Sequence, residues 1–527
     1  MKKLLCLLFI SVIFIGCSNE KEVLEIPLTS SSEEALSLFT SDVFRVKTGY
    51  RMDGPQVLPI LDKIFELDSN FHLSNALRGS YNNNLNSGER RKIITDAYEN
   101  RESVSEIEKA LITSIYEENV SRNLVKAEGM LNDITDKYPG YYYLWLYTGS
   151  FQNMVLLDPA KSKLSWEKAL KIDPNNSMAK ILLSQLHYVT TVDFQLLADD
   201  EIDQEKAISL IEDAEKSDQK NYAYSRLLGN IYRAQGEFDK SLNAYDRAIN
   251  LIEDKDSPSY KQTLLVSGHN YLFKEEYEKT REIYRASIAI DYRIGYDVNI
   301  SRWLANTYLY EKKYNDAIKE IDLLEDRILK NTTLDEIGEN IFLYRCDFER
   351  FITYGHSQMK EDALESLQSM NNHQDEIKKF QTSSASSEDE IRRIELNIDI
   401  NNEFNKIWYL ILFGEFEEAS NELKSYSLLS SEYLVYDSKA MINFYKLSGY
   451  LNLMSGNIDA SISFYDQIPR ALLEADNYQL YFYALAVNAK GKKSESTELF
   501  TYLANYNFAG WENSIIRSLA QAQLDKA

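Results

Sequence analysis

Apolar residues recur every three to four positions along almost the whole chain, and no stretch alternates apolar with polar residues for any length. That period belongs to amphipathic helices and argues against half-buried strands. Leu61, Ile64 and Phe65 mark one face of a helix from Gln56 to Leu67, with Pro59 tolerated near its start. Ser32-Glu33-Glu34-Ala35 opens an earlier helix with carboxylates in the turn where the helix dipole favours them. Glu102 to Glu117 and Leu124 to Tyr138 read as a helix pair stopping at Tyr138-Pro139-Gly140. The helix through Trp166-Glu167-Lys168-Ala169-Leu170 runs into Ile172-Asp173-Pro174-Asn175-Asn176. Only 8 Pro and 19 Gly interrupt 527 residues, so the expected class is all-α.

A longer period lies over the helical one. Gly229, Tyr232, Gly236, Tyr245 and Ala248 form a unit that returns at Gly268, Tyr271, Tyr284 and Ser287, and again at Ala305, Tyr308, Ala317 and Ile321. A unit of this size cannot bury its apolar face alone, so copies stack into an α-solenoid. The small-x-x-Tyr of the first helix, the Ala and aromatic of the second and the closing Asp173-Pro174-Asn175-Asn176 resemble the tetratricopeptide repeat. In that family small residues let paired helices approach and aromatics fill the gap beside them. Pro139 stands where Pro174 does, and Gln219 takes that place after Ala207, Ile211 and Ala214; the family's Trp at the start of the first helix is mostly missing.

The resemblance spans 31–322 and then 401–519. The second block carries Trp408, Gly414, Phe416, Ala419 and Leu423, then Gly449, Gly456, Ser461 and Tyr465, then Ala484, Gly491, Phe500 and Leu503, with Phe508 to Leu524 as a capping helix. Leu196 to Asp203 reads as an insertion inside a hairpin. Residues 323–400 lack the small-residue pattern and contain the polar break Gln381-Thr382-Ser383-Ser384-Ala385-Ser386, followed by a capping box at Ser387-Glu388-Asp389-Glu390. The expectation is two lobes, 31–322 and 401–527, joined by a helical linker over 323–400 with a hinge at Thr382 to Ser386.

The N-terminus changes the setting. Met1-Lys2-Lys3, an apolar run from Leu4 to Ile15 and then Gly16-Cys17 make a secretory leader, too short to span a hydrocarbon core. Phe14-Ile15-Gly16-Cys17 resembles the lipobox of bacterial lipoproteins, with Phe14 where Leu is usual. That resemblance implies a leader over 1–16, lipidation of Cys17 and a membrane anchor, since two or three acyl chains hold a protein stably. Residues 17–30 are polar and read as a flexible tether. No Asp follows Cys17, which leans towards the outer membrane, and the acidic residues nearby resemble export signals of Bacteroidota surface lipoproteins. With Cys6 in the leader and Cys17 acylated, Cys346 has no disulfide partner, and its apolar neighbours place it in the core.

The formal charge is −24, and −26 once Lys2 and Lys3 leave with the leader, which disfavours nucleic acid as a partner. The catalytic inventory is thin. His72, His187, His269, His356 and His373 are mutually distant in sequence, and no nucleophile elbow, phosphate loop, zinc pair or Cys pair is present. The Asn82-Asn83-Asn84 segment between Gly79 and Gly88 lacks the lysine of a phosphate cradle, and Asp199-Asp200-Glu201-Ile202-Asp203 lacks the glycine and distal Glu of a calcium loop. No enzyme, cofactor or metal is expected.

The tetratricopeptide resemblance instead implies that the first helices line an inner groove for a protein or peptide partner. Matching positions are Arg226, Asn230 and Arg233, then Gln262 and His269, then Asn299, Arg302 and Asn306. Arg and Asn offer forked donors suited to carboxylates and backbone oxygens. Val266 and Trp303 stand where a carboxylate clamp would carry further polar residues. The function expected is a non-enzymatic, lipid-anchored scaffold in a Gram-negative envelope. A nutrient-binding lipoprotein resembling the SusD family, which lacks support from a Leu-Asp-x-x-Pro opening here, and a sensory or regulatory repeat module are the alternatives.

Overall fold

The computed structural model describes residues 24–526 except 45–53, 83–86, 122, 189–195, 198–200, 291–293, 333, 384, 386 and 438. The expected leader, Cys17 and residues 17–23 lie outside the described residues, as do Asn83, Asn84, Asp199, Asp200 and parts of the 196–203 and 381–386 segments. Among the described residues there are 26 α-helices and no strand. The first half comprises α1 (Glu33–Leu38), α2 (Gly54–Leu67), α3 (His72–Tyr81), α4 (Ser87–Glu99), α5 (Glu106–Asn119), α6 (Leu124–Lys137), α7 (Tyr142–Met154), α8 (Pro159–Ile172), α9 (Ser177–Gln185) and α10 (Gln204–Ser217). The middle is α11 (Tyr222–Ala234), α12 (Phe238–Leu251), α13 (Pro258–Phe273), α14 (Tyr277–Ile288), α15 (Ile294–Tyr310), α16 (Tyr314–Leu329), α17 (Glu336–His356) and α18 (Lys360–Ser383). The rest is α19 (Glu388–Leu412), α20 (Phe416–Tyr433), α21 (Ile442–Met454), α22 (Ile458–Tyr465), α23 (Arg470–Glu474), α24 (Asn477–Ala489), α25 (Lys493–Ala504) and α26 (Trp511–Leu524). No described helix is long and apolar enough to cross a membrane.

Neighbouring helices pack as hairpins that stack into a tetratricopeptide-like solenoid. One interlock holds the hairpins together. A Cβ on Gly229 would lie 2.6 Å from the ring of Tyr245; on Gly268, 2.8 Å from Tyr284; on Gly449, 2.7 Å from Tyr465. Gly149 is closed off likewise by Trp166. Each tyrosine follows its glycine by sixteen residues, and between them a hydroxyl on the second helix donates to the glycine carbonyl: Ser241 to Gly229 at 2.6 Å and Ser461 to Gly449 at 2.8 Å. The backbone comes near enough to be capped only because the glycine has no side chain.

The turn between paired helices is equally regular. Gly236, Glu275, Lys312, Gln358, Gly414, Gly456 and Gly491 all have positive φ, and each of them ends the first helix of a hairpin. The amide after each bonds back five residues, as Glu237 does to the Tyr232 carbonyl at 2.8 Å and Met359 to Tyr354 at 2.9 Å. This is the left-handed C-terminal cap that terminates a helix and turns the chain.

Residues 323–400 continue this arrangement. They supply α17, α18 and the start of α19, which at 21, 24 and 25 residues are longer than the helices around them. Phe351 sits seven residues before the left-handed Gln358, where α11, α13, α15, α21 and α24 carry a Gly or Ala. A single apolar cluster runs from Leu309 and Ala317 through Phe351, Leu367 and Ile407 to Ile516, so the core has no break at the expected linker. A second cluster spans Ile26 to Leu197. Ser387 caps α19 through the Glu390 amide at 3.1 Å, and the Glu390 carboxylate reaches Arg91 of α4 across the solenoid.

The tether expectation needs correcting where the chain is described. Residues 24–30 lie extended against the first hairpins: the Thr29 amide and hydroxyl bond Glu108 at 3.0 and 2.6 Å, and the Ser31 amide bonds Asp68 at 2.7 Å. Both carboxylates are buried and need donors, and the polar residues that suggest a flexible segment supply them.

Candidate functional site

Among the first helices of the hairpins, α11, α13, α15, α17, α19 and α24 border one interior groove, and the sequence-selected residues lie on α11, α13 and α15. Arg226, Asn230 and Arg233 of α11 are all buried. Arg226 donates to Gln262 of α13 at 3.3 Å and lies over the Tyr222 ring. Asn230 accepts the Tyr245 hydroxyl at 2.6 Å. His269 meets the Tyr284 hydroxyl in the same way and packs edge-on against Trp303. Burial, with Arg233 nearby, holds this imidazole well below its ordinary pKa. On α11 and α13 the residue after the small glycine therefore serves its own hairpin by meeting the interlocking tyrosine's hydroxyl, whereas the Tyr465 hydroxyl donates to Gln479 of α24 at 3.0 Å. Asn306 is buried in α15 at the same place, but its hairpin has Ile321 instead of tyrosine, and the Asn306 amide oxygen has no partner. Asn299 is exposed and accepts from Arg345 at 3.5 Å. Arg302 pairs with Glu349 of α17 at 2.6 Å.

The groove is not open in this region. It holds the chain's own C-terminal segment. Arg233 Nε donates to the Asn507 carbonyl at 3.2 Å, while its Nη1 bonds the Tyr245 hydroxyl at 3.0 Å and the Val266 carbonyl at 3.3 Å. Ala509 packs on Leu272 and Phe273 of α13, and Arg517 lies over the Phe273 ring. Trp511 sits among Phe348 of α17, Trp408 of α19 and Tyr478 of α24, with ring centroids 6.0, 5.5 and 5.3 Å away. Helix α26 runs along α15 as well as α24 and α25. The sequence pattern predicts a cap over the last hairpin; α26 caps that hairpin and also fills the groove, because its aromatic and apolar residues find the larger apolar surface inside.

Charge is poorly matched at this seat. Glu349 is buried, burial raises its pKa, and its second carboxylate oxygen has no partner. The Glu512 carboxyl is pushed up to about 7, chiefly by burial, with a main-chain hydrogen bond at the start of α26 and Arg302 opposing the rise and Asp476 and Glu349 adding to it. Sequence reasoning missed Glu349, Asn507, Trp511 and Glu512. The run Tyr506-Asn507-Phe508-Ala509-Gly510-Trp511 just before the final helix carried the only signal: an aromatic-rich stretch too apolar for a solvated connection.

No described group of three or more His, Cys, Asp or Glu side chains is arranged to hold a metal ion. Burial pushes His356 down to about 4 and the Cys346 thiol up to about 12, so the imidazole is neutral and the thiol protonated near neutral pH.

No protein family's sequence profile matches the chain, and no curated protein matches it. Solved structures do resemble it weakly. The crystal structure of the P58(IPK) TPR domain is 13% identical, covering 73% of this chain and 98% of that one with a TM-score of 0.21. The human IFIT1 dimer with PPP-AAAA is 12% identical over 85% of this chain and 96% of that chain, TM-score 0.30. Naa15/Naa10 bound to HypK-THB is 10% identical over 93% and 79%, TM-score 0.26. At such scores nothing about this chain's partners follows from the likeness.

Proposed function

We propose that this chain is a non-enzymatic scaffold that holds a protein partner along the inner wall of its solenoid, and that a lipid on Cys17 anchors it in a bacterial envelope, on the outer membrane. The observation that carries the binding reading is the seated C-terminal segment: the wall already accepts a polypeptide, through a guanidinium on a main-chain carbonyl and a pocket of aromatic rings. The leader and the Phe14-Ile15-Gly16-Cys17 motif support the anchor. The net charge of −24 supports protein over nucleic acid as the partner.

Photo-crosslinkers at exposed positions flanking the groove, such as Asn299, test the binding half: an envelope protein crosslinked there supports it, and crosslinks confined to the outer helices overturn it. Palmitate labelling of the wild type, lost in Cys17→Ser, is the expected result for the anchor; an unlabelled soluble wild type removes it.

A further inference from the structure

The seat under residues 505–524 is built for a polypeptide and badly completed by the one that occupies it. We propose that this seat is exchangeable, and that it takes from a partner protein a short aromatic-rich extended stretch leading into a helix that opens with an aromatic residue followed by a basic or amide side chain. The proposal rests on the reading of the inner wall as a protein-binding groove and adds the partner's chemistry to it.

Three observations carry it. First, the wall's polar grip on the segment is sequence-tolerant, since Arg233 bonds the Asn507 main-chain carbonyl and any residue offers one there. Second, the aromatic pocket of Phe348, Trp408 and Tyr478 selects a large ring, the kind of anchor that dominates binding at interfaces. Third, the polar groups around the position after that ring are incompletely paired in the intramolecular occupant, although Glu512 itself accepts a main-chain amide in the first turn of α26. Glu512 enters a site that already contains Glu349, with Asp476 near it, and the single guanidinium of Arg302 is spent on Glu349. One Glu349 oxygen is left without a donor, and so is the buried Asn306 amide oxygen on α15, the helix along which α26 packs. A lysine, arginine or glutamine in place of Glu512 brings donors to a seat that has surplus acceptors. The chain's own segment is thus a placeholder, kept in place by the high local concentration that covalent linkage gives it.

The test uses the full chain and three fluorescein-labelled peptides: residues 505–524 as they stand, the same with Glu512→Lys, and the same with Trp511→Ala. Fluorescence anisotropy should show one-to-one binding of the Glu512→Lys peptide at least about tenfold tighter than the unaltered peptide, and no binding of the Trp511→Ala peptide. A full chain carrying Trp511→Ala should take up the unaltered peptide about tenfold more tightly than wild type, because its seat is more often vacant. Equal affinity for the lysine and glutamate peptides, or no uptake by a Trp511→Ala chain that keeps its helical circular dichroism, overturns the proposal. So does a monomer-to-dimer shift of the Trp511→Ala chain in sedimentation, which makes a second copy the occupant. If Trp511→Ala unfolds the chain, hydrogen exchange on the wild type decides: α26 amides must exchange faster than those of α24 and α25, and equal protection means that the segment does not leave. Failure of the peptides together with groove crosslinks to an envelope protein overturns only this proposal and leaves the scaffold reading standing.

Discussion

At the scale of single residues, the repeat is a rule about where a side chain must be absent. Gly229, Gly268 and Gly449 were legible in the sequence because only a glycine permits a tyrosine ring against the backbone, and that demand imprints a fixed spacing. Ala305 followed sixteen residues later by Ile321 is the same rule with smaller partners, and so is Ala484 with Phe500. The left-handed turn residues were legible only in part. Gly236, Gly414, Gly456 and Gly491 announce themselves, whereas Glu275, Lys312 and Gln358 occupy the same conformation without the residue that signals it. Two predictions belong here. Gly229→Ala forces a methyl into the Tyr245 ring and should destabilise the chain by about 1–3 kcal/mol, read as a lower urea midpoint with an unchanged slope; an unaltered midpoint means that the ring can move aside. Lys312→Gly should act the other way. A left-handed non-glycine costs about 1–2 kcal/mol and glycine's extra chain entropy takes back about half, so the melting temperature should rise slightly, and a fall would show that the Lys312 side chain contributes more than its backbone costs.

At the scale of helices and hairpins, ion pairs buried between second helices and the next hairpin decide how units stack. Arg281 on α14 is fully buried, bonds Glu311 at the end of α15 at 2.6 Å and Glu278 at 2.6 Å, and lies over the Tyr308 ring. Arg350 on α17 performs the same task for α16, reaching Asp322 at 2.8 Å as well as Glu325 and Asp347. Such contacts were invisible to repeat spacing, because a charged residue on a helix reads as a solvated face until the neighbour that buries it is known. The repeat pattern is hidden in 323–400 for a related reason: with Phe351 in the small-residue place and Gln358 in the glycine place, the hairpin keeps the turn geometry without the sequence signature. Replacing Arg281 with methionine keeps the apolar stem and leaves the half-buried Glu311 carboxylate to the half-exposed Lys313 ammonium, which should cost about 1 kcal/mol once its partial exposure is allowed for. Restoring full stability by pairing it with Glu311→Gln would confirm that the loss is electrostatic; no recovery would assign it to lost packing.

At the scale of the whole molecule, the solenoid curves far enough for its final helix to lie in its own groove, and Arg91 of α4 to meet Glu390 of α19. The inner wall is legible in the sequence, since the helices that line it follow from the repeat. What fills the wall is marked only by the aromatic run from Tyr506 to Trp511, because a long-range contact between 233 and 507 leaves no periodic trace. Seating α26 also carries a pH dependence whose sign is fixed by Glu512. Its pKa in the folded chain, about 7, lies above the 4.5 of an ordinary glutamate, so its protonated form is the one that the seat favours. The stabilisation is therefore complete below about pH 4.5 and is lost as pH rises through 7. Burial raises Glu349 in the same direction. Tyr310 and Tyr506, which also face this site, are pushed above their usual values and stay neutral throughout that range. Protection of α26 amides against hydrogen exchange, corrected for the intrinsic rate, should accordingly be greater at pH 5.5 than at pH 8, while protection of α11 and α12 stays level. Glu512→Gln should remove most of the difference and keep α26 protected at pH 8. If the glutamine chain retains the wild-type profile, the titrating group lies elsewhere and the closing of the solenoid is not governed at this carboxyl.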